Sequence, residues 1–440
     1  MTGSSPLDLL ISIDWGSLRH AYGEASDVPG QLRALLSADK EERADAQHAL
    51  CGNIFHQGDR YEATAYAVPY LFKILEDSST PERDFLIDHL VHLALGYAQM
   101  FLPNGVDLPA WREKASKILS PEYEVHYYRR HNDWIQKAET AEERVSRIES
   151  CNLSIQRDRR AAKYELLAYE VVRAGVSGFQ KCLEDDDAQI RSWAAFALAW
   201  FPREADEDCR NSVPVLMRVL EQEKETAVLA CTIIALGLLN GRFDGARPEE
   251  IDELVAGLRG YSADTRPLIQ WATAVALVRL KYQGQEHIDM LIRCIKDPSF
   301  IPDEYRPEYS KETFPFIGPF DEEDVDGYSA NALGSINANE YPGVVTAVLD
   351  ALSRSSGCVL SKLLKVLLTL TFGPMLEHES DTAFEGLSEL QKRTVTALAE
   401  MDDKLWNEED FVWILRNWEI PARSRDECRT YVGLPGAGLG

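Results

Sequence analysis

The chain is short of positive charge. Its 46 lysines and arginines stand against 72 aspartates and glutamates, a formal net charge of −26 over 440 residues. A polyanion is repelled by such a balance, so neither nucleic acid nor an anionic membrane is expected as a partner. Long apolar runs are missing as well. The best candidate, residues 359–372, is interrupted by Ser361, Lys362 and Lys365 and falls short of the roughly 18 residues that span a bilayer. The opening Met1-Thr2-Gly3-Ser4-Ser5-Pro6 has no basic segment, and residues 7–13 are few and include Asp8, so a secretory leader is not expected. Eight cysteines are scattered without a close-spaced pair. Cys182, Cys231 and Cys294 lie in apolar helical stretches, where the residue behaves as a small hydrophobe. A cytoplasmic location and no metal site are the expectation. No glycine-rich phosphate cradle occurs and no cofactor is expected. Ser17 and Ser26 lack a nucleophile-elbow context.

What is present is a repeat. Hydrophobic residues make up 45% of the chain and charged ones 27%, the proportions of a folded protein. Leu183, Leu220, Leu258 and Ile295 each close an apolar amphipathic stretch, at steps of 37, 38 and 37 residues. A short polar break follows each, and an alanine-rich run follows three of them. Such a period marks helix pairs stacked side by side, an α-solenoid. The N-terminal region keeps nearly the same step, 39 residues from Leu36 to Leu75. There Asp27 is expected to cap a helix with Pro29 in its first turn, and the return helix covers 43–54. The next unit is expected to open at Val68-Pro69-Tyr70-Leu71 and return over 83–95. Val213-Pro214-Val215-Leu216 echoes that opening.

The expected fold is therefore all-α, a right-handed α-α superhelix of antiparallel helix pairs in one solenoid over 1–440. Residues 1–27 form an N-terminal cap and 28–105 hold two regular units. Residues 106–175 carry longer irregular helices (111–119, 122–137 and 141–169), and 176–297 are again regular. Residues 298–327 are an insertion, 328–430 complete the solenoid, and 431–440 form a flexible tail. Within 297–326 stand six aromatics and five prolines; helix is excluded at that proline density, and a loop of this length is usually functional. Helical patterning resumes at 328–336, 343–352, 359–370, 384–399 and 408–417.

Several clusters are chemically suggestive. Trp15, His20, Tyr22, Asp27, His56, Gln57, Asp59 and Arg60 bring imidazoles, carboxylates and aromatics to the first helix pair. His20, His56, Asp27 and Asp59 are the candidate acid–base residues, and Trp15, Tyr22 and Arg60 the candidate contacts; a purely structural cap would use the same residues. His89 and His92 lie at i and i+3, a spacing that can place two ligands on one face, but no third ligand is nominated. One imidazole is expected in the core and the other against solvent or an acid. His126, Tyr127, Tyr128, Arg129, Arg130, His131 and Trp134 form the one basic, aromatic stretch; its arginines are expected to pair with Glu122 and Glu124. In the insertion, Tyr305, Arg306, Tyr309, Phe314 and Phe316 are candidate partner contacts, or anchors to the neighbouring unit. Acidic runs at 184–187, 204–208 and 221–225 read as solvated turns that could add up to a negative edge. Arg43, Arg83 and Arg191 start return helices, with Asp39, Asp77 and Asp186 in the breaks before them.

These units resemble HEAT repeats, in which such Asp and Arg residues hydrogen-bond between adjacent turns. Trp15-Gly16-Ser17-Leu18-Arg19-His20-Ala21-Tyr22-Gly23, then Asp27-Val28-Pro29 and His56-Gln57-Gly58, resemble the opening of a group of microbial HEAT-repeat proteins. Glu419-Ile420-Pro421-Ala422-Arg423-Ser424-Arg425 resembles their C-terminal segment. HEAT-like arrays elsewhere act as protein scaffolds, as alkylpurine DNA glycosylases and as bilin lyases; the acidic balance here departs from the glycosylase pattern. Two readings stay open. The first is a scaffold, adaptor or neutralising partner that binds a protein with a basic surface through its concave face and the 298–327 loop. The second is an enzyme, a lyase or biosynthetic cyclase acting on a small molecule, with its pocket at the N-terminal His/Asp cluster.

Overall fold

The computed structural model describes residues 8–102, 104–203, 211–240, 248–305, 314–317, 325–334, 336–375 and 383–435. It is all-α apart from two minute hairpins. The elements of the N-terminal part are β1 (Arg19–His20), β2 (Gly23–Glu24), α1 (Val28–Ala34), α2 (Lys40–Asn53), β3 (Phe55–His56), β4 (Asp59–Arg60), α3 (Glu62–Leu75), α4 (Arg83–Leu95), α5 (Leu108–Leu119), α6 (Pro121–Gln136), α7 (Ala141–Ala174), α8 (Val176–Cys182) and α9 (Ala188–Leu198). After α10 (Val213–Gln222) come α11 (Thr226–Asn240), α12 (Pro248–Arg259), α13 (Pro267–Arg279), α14 (Gln285–Lys296), α15 (Val325–Leu333), α16 (Pro342–Leu352), α17 (Gly357–Phe372), α18 (Glu389–Glu400), α19 (Asp403–Trp406), α20 (Phe411–Asn417) and α21 (Arg425–Tyr431). They form two compact units. Unit 1 comprises residues 1–101 and 106–218, and unit 2 residues 102–105 and 219–440. No helix among the described residues is long and apolar enough to cross a membrane.

In unit 1, α1 pairs with α2, α3 with α4 and α8 with α9 through short turns, the geometry that makes consecutive helices antiparallel neighbours. The turns are specified locally. Asp39 accepts from the Glu41 amide and Asp187 from the Gln189 amide, each as the N-cap of the return helix. Pro29 lies in the first turn of α1, but Asp27 does not cap it with its side chain; that carboxylate is engaged elsewhere. The second helix pair of unit 1 also departs from the sequence expectation. Its first helix starts at Glu62, not Val68, and Pro69 lies inside it. The reason is a reciprocal cap: the Tyr61 amide donates to Thr64 Oγ1 at 2.8 Å, whose hydroxyl in turn donates to the Ile54 carbonyl at 2.7 Å. A firm start six residues upstream outweighs the one backbone bond that proline removes.

The irregular middle resolves into α5, α6 and the 34-residue α7. On α7 pack α3, α4, α5, α6 and β4. Helix pairs in a regular solenoid touch only their neighbours; here one rod is shared by two of them.

The core of unit 2 is built around α11 and α13. Every residue of α11 from Val228 to Leu239 is buried, and each such leucine or isoleucine contributes about 1.5–3 kcal/mol by leaving water. α11 and α13 approach so closely that a Cβ on Gly237 would lie 2.7 Å from Ala276 Cα, so glycine and alanine are the residues that fit. The insertion begins with two single 3₁₀ turns, Pro298–Phe300 and Asp303–Tyr305. After α21, Val432, Gly433 and Leu434 donate backbone bonds to Cys428, Thr430 and Arg429, and Arg429 Nε reaches the Pro435 carbonyl at 2.8 Å; the rest of the expected tail lies outside the described residues.

Candidate functional site

Both hairpins belong to the N-terminal cluster. In β3–β4, Gln57 (φ 51°) and Gly58 (φ 87°) form the turn, a pair of positive φ values that matches the right-handed strand twist. The hairpins present His20, Tyr22, His56, Asp59 and Arg60, and the structure divides them into separate contacts.

His20 is buried and faces Asp27, with Nε2 3.1 Å from Oδ1. The Tyr22 amide lies 3.0 Å from His20 Nδ1. An amide only donates, so Nδ1 is the acceptor and Nε2 carries the proton to Asp27. Both ring nitrogens are thereby committed, and no lone pair is left for a general base. Asp27 Oδ2 accepts from Gln31 Nε2 and Asn53 Nδ2, each at 2.9 Å. This network ties the first hairpin to α1 and α2, which is why Asp27 is not spent on its own helix end. His56 reaches it only through Tyr22, an exposed side chain whose hydroxyl is 3.2 Å from His56 Nδ1. Asp59 is exposed at the other hairpin.

Trp15 is buried, donates from Nε1 to the Leu10 carbonyl at 3.0 Å and lies against Tyr70. Arg60 is buried too. It donates to the Gly58 carbonyl and lies 3.5 Å from Glu165 of α7, while its Nε has no partner. Burial draws the Arg60 guanidinium down from its ordinary value and pushes the Glu165 carboxyl up, each offset in part by the charge of the other. Trp15 and Arg60 therefore fasten the N-terminal end.

Behind the hairpins is a contact that sequence reading missed. Cys51 Sγ of α2 lies 3.6 Å from His89 Nδ1 of α4, and His89 stacks on Phe85. The types are those of a Cys–His nucleophile, but the electrostatics run the other way. Burial pushes the Cys51 thiol up to about 12 and the His89 imidazole down to about 3. Both partners are held neutral, whereas an activated pair needs thiolate and imidazolium. His92 faces outward and meets Asp88 at 3.1 Å. Among the described residues no group of three or more His, Cys, Asp or Glu side chains is placed to hold a metal ion.

α6 packs on α7 through its tyrosines, and His126, Arg129 and Arg130 are exposed. Tyr123 and Tyr128 donate to Asp158 and Asn152 at 2.7 and 2.6 Å, and Tyr127 stacks on His131. The carboxylate of Glu124 pairs with Arg159 of α7 at 3.4 Å, not with the arginines of its own helix. In the insertion, Phe314 and Phe316 are buried. Phe314 stands edge-on to Trp271 and Phe316 edge-on to Tyr328, so they anchor the segment to α13 and α15. Tyr305 is half-buried, and burial, with Glu304 beside it, pushes its phenol up. Arg306 and Tyr309 lie outside the described residues, as does the acidic run at 204–208.

The turns of unit 1 hold the remaining charge. Arg43 Nη1 donates to the Ser37 and Ala38 carbonyls, and its other nitrogens grip Glu82 of the next turn at 3.0 and 3.2 Å. Arg83 donates to the Leu75 carbonyl at 3.1 Å and to the Asp185 carboxylate. Arg191 donates to the carbonyls of Asp185 and Asp186. Arg43 and Arg83 thus bridge adjacent turns, but through Glu82 and Asp185, whereas Arg191 closes its own turn. Asp39 and Asp77 are occupied within their own turns, by the Glu41 amide and by Ser79. The bridges bring the three turns to one edge. Asp39, Glu41, Glu42, Glu76, Asp77, Glu184, Asp186 and Asp187 are exposed there, with Lys40 and Lys181 as the exposed lysines of the same turns.

No family model matches this chain, and no curated protein matches it. Among solved structures it is similar to an engineered protein, at 16% identity over 93% of this chain and 97% of that chain with a TM-score of 0.29. It is also similar to UNC-45 from Drosophila melanogaster, at 12% identity over 92% of this chain and 56% of that one with a TM-score of 0.37. Neither likeness bears on function.

Proposed function

We propose that the chain is a protein-interaction scaffold whose partner docks a basic surface on the acidic edge of unit 1. One observation carries this reading: the arginines of the turns are drawn inward, which leaves the outer rim to carboxylates. Such a rim steers a basic partner and selects against acidic ones. Three arginine-linked turns fix the spacing of the rim. Phe314 and Phe316, buried as anchors, leave the contact surface; the enzyme reading has no free base at His20.

Amine-reactive cross-linking in native lysate tests it. Lys40 and Lys181 flank the rim and should capture a basic partner in the wild-type chain. Reversal of Glu41, Glu76 and Glu184 to arginine, which adds no reactive amine, should abolish that capture and leave the helical circular dichroism intact. Capture of the same partner in equal yield by the reversed variant would show that the rim is not the docking surface.

A further inference from the structure

Ser262 and His287 meet in unit 2 at the distance of a nucleophile and its base. Ser262 is half-buried in the short 3₁₀ turn Gly260–Ala263, which lies between α12 and α13. His287 stands in the first turn of α14 and is only 3% exposed. Its Nε2 is 3.0 Å from Ser262 Oγ. The other ring nitrogen decides what this contact is. Nδ1 is buried with no hydrogen-bond partner among the described residues, and the Glu286 carboxylate lies 3.8 Å from it. At that distance the carboxylate acts by charge and not through a hydrogen bond. It still favours the tautomer that carries the proton on Nδ1. Nε2 is then the acceptor, and the serine hydroxyl donates to it. At His20 both ring nitrogens are committed; here the partner of Nε2 is itself a nucleophile.

The surroundings fit that role. A Cβ on Gly284 would lie 2.9 Å from His287 Nδ1 and 3.0 Å from Glu286 Oε1, so glycine leaves the room in which carboxylate and ring approach. Burial draws His287 below its ordinary value; Glu286 opposes this and Arg259 adds to it. The ring is therefore neutral at pH 7 and able to take a proton. Arg259 is exposed, its guanidinium lies 5.1 Å from the centre of the Tyr282 ring, and Tyr282 stands edge-on to His287 at 5.8 Å. A cation this near favours the negative charge that develops when a hydroxyl adds to a carbonyl.

We infer that Ser262 is an activated nucleophile that takes acyl groups from small carboxylic esters, with His287 as its base and Glu286 as the residue that positions the ring. Ser262 Oγ bonds to the carbonyl carbon and the ester C–O bond breaks; the serine proton passes through His287 Nε2 to the departing alcohol. Water, giving its proton to the same nitrogen, then releases the acid and restores Ser262. The site is in unit 2 and does not depend on the acidic rim.

Labelling of the full chain with a fluorophosphonate, read by peptide mass spectrometry, tests the inference. Ser262 should be marked in the folded chain and not in urea. Ser262→Ala should hydrolyse p-nitrophenyl acetate more slowly than the wild-type chain. His287→Gln should slow the marking of Ser262 about a hundredfold, the usual share of a general base. In the wild-type chain, whose fold is not in question, the marking rate should fall with acid through an inflection below the ordinary 6.5. Glu286→Gln removes the charge that supports the imidazolium, so its inflection should move to still lower pH. A side chain that merely supports the fold would not move it. Ser262 left unmarked in the folded chain, or marked as fast in urea, overturns the inference. So does a Glu286→Gln inflection at the wild-type pH, or a wild-type rate proportional to hydroxide throughout, as unassisted serine would give.

Discussion

The guanidinium of Arg43 and the carboxylate of Glu82 meet through two hydrogen bonds although 39 residues separate them in sequence. Gln47 Nε2 adds a third bond to the same carboxylate at 2.7 Å. A bidentate pair fixes both distance and orientation, so these residues set how the first helix pair of unit 1 meets the second. A double-mutant cycle with Arg43→Met and Glu82→Gln should show coupling, the double variant losing less thermal stability than the two single losses added. Strict additivity in urea denaturation would mean that the pair is not a joint.

Arg83→Ala should do more harm. It leaves the Leu75 carbonyl without its side-chain donor and the Asp185 carboxylate with the Asp187 amide but no cation, and removal of one partner from a largely buried pair costs about 3 kcal/mol. Asp185→Asn, which keeps an acceptor, should cost less than half of that. Equal losses by chemical denaturation would contradict the assignment.

Gly96 has φ 80°, and a Cβ there would collide with the Arg60 guanidinium and lie 3.2 Å from the Gly58 carbonyl. Gly433 has φ 76° and nothing within reach of a Cβ. Gly433→Ala should therefore cost about 1 kcal/mol, the left-handed backbone alone, and Gly96→Ala about 2 kcal/mol or more. The two midpoints of denaturation, compared in parallel, separate strain from collision.

Stability should fall with acid, with His89 in the leading part. Its folded value of about 3 lies below the ordinary 6.5, so between those values the unfolded chain binds the proton more readily. The contribution is complete above pH 6.5 and is lost as pH falls, at up to about 1.4 kcal/mol per unit. Glu82, held low by its hydrogen bond from Arg43, adds a loss at lower pH. So does Asp185, where burial opposes ionisation but the bonds from Arg83 and the Asp187 amide prevail. His89→Phe should flatten the slope between pH 4 and 6.5 and leave the carboxylate step below it. An unchanged slope would place the titration elsewhere.

Alkylation tests the Cys51–His89 pair. With thiols of Cys51, Cys294 and Cys428 pushed up by burial to about 12, roughly one molecule in ten thousand is thiolate at pH 8. Iodoacetamide should label these three slowly in the native chain and quickly in urea, by peptide mass spectrometry. Fast native labelling of Cys51 would mean that the imidazole activates it.

Much of this was legible in the sequence. The helices of the regular stretches follow from apolar period, aspartate caps and first-turn prolines, each a local signal. Pro69 misled because the same residue that opens helices elsewhere sits mid-helix once Tyr61 and Thr64 have set an earlier start. The hairpins escaped notice because two-residue strands show no alternation, and Gln57 stands where asparagine would have flagged the turn. Glu82 and Asp185 could not be chosen over Asp39, Asp77 and Asp186, since all five lie in acidic turns and only packing decides which one faces an arginine.

The shared rod of α7 has an evolutionary consequence. A repeat array ordinarily grows or shrinks by duplication or loss of a module, because each module answers only to those beside it. Deletion of α7 would strip α3, α4, α5 and α6 of a common wall at once, and a one-residue slip within it would turn everything downstream by about 100°, since 3.6 residues make a turn. Lineages that carry this architecture should therefore vary in module number outside 59–174 and keep that block at constant length.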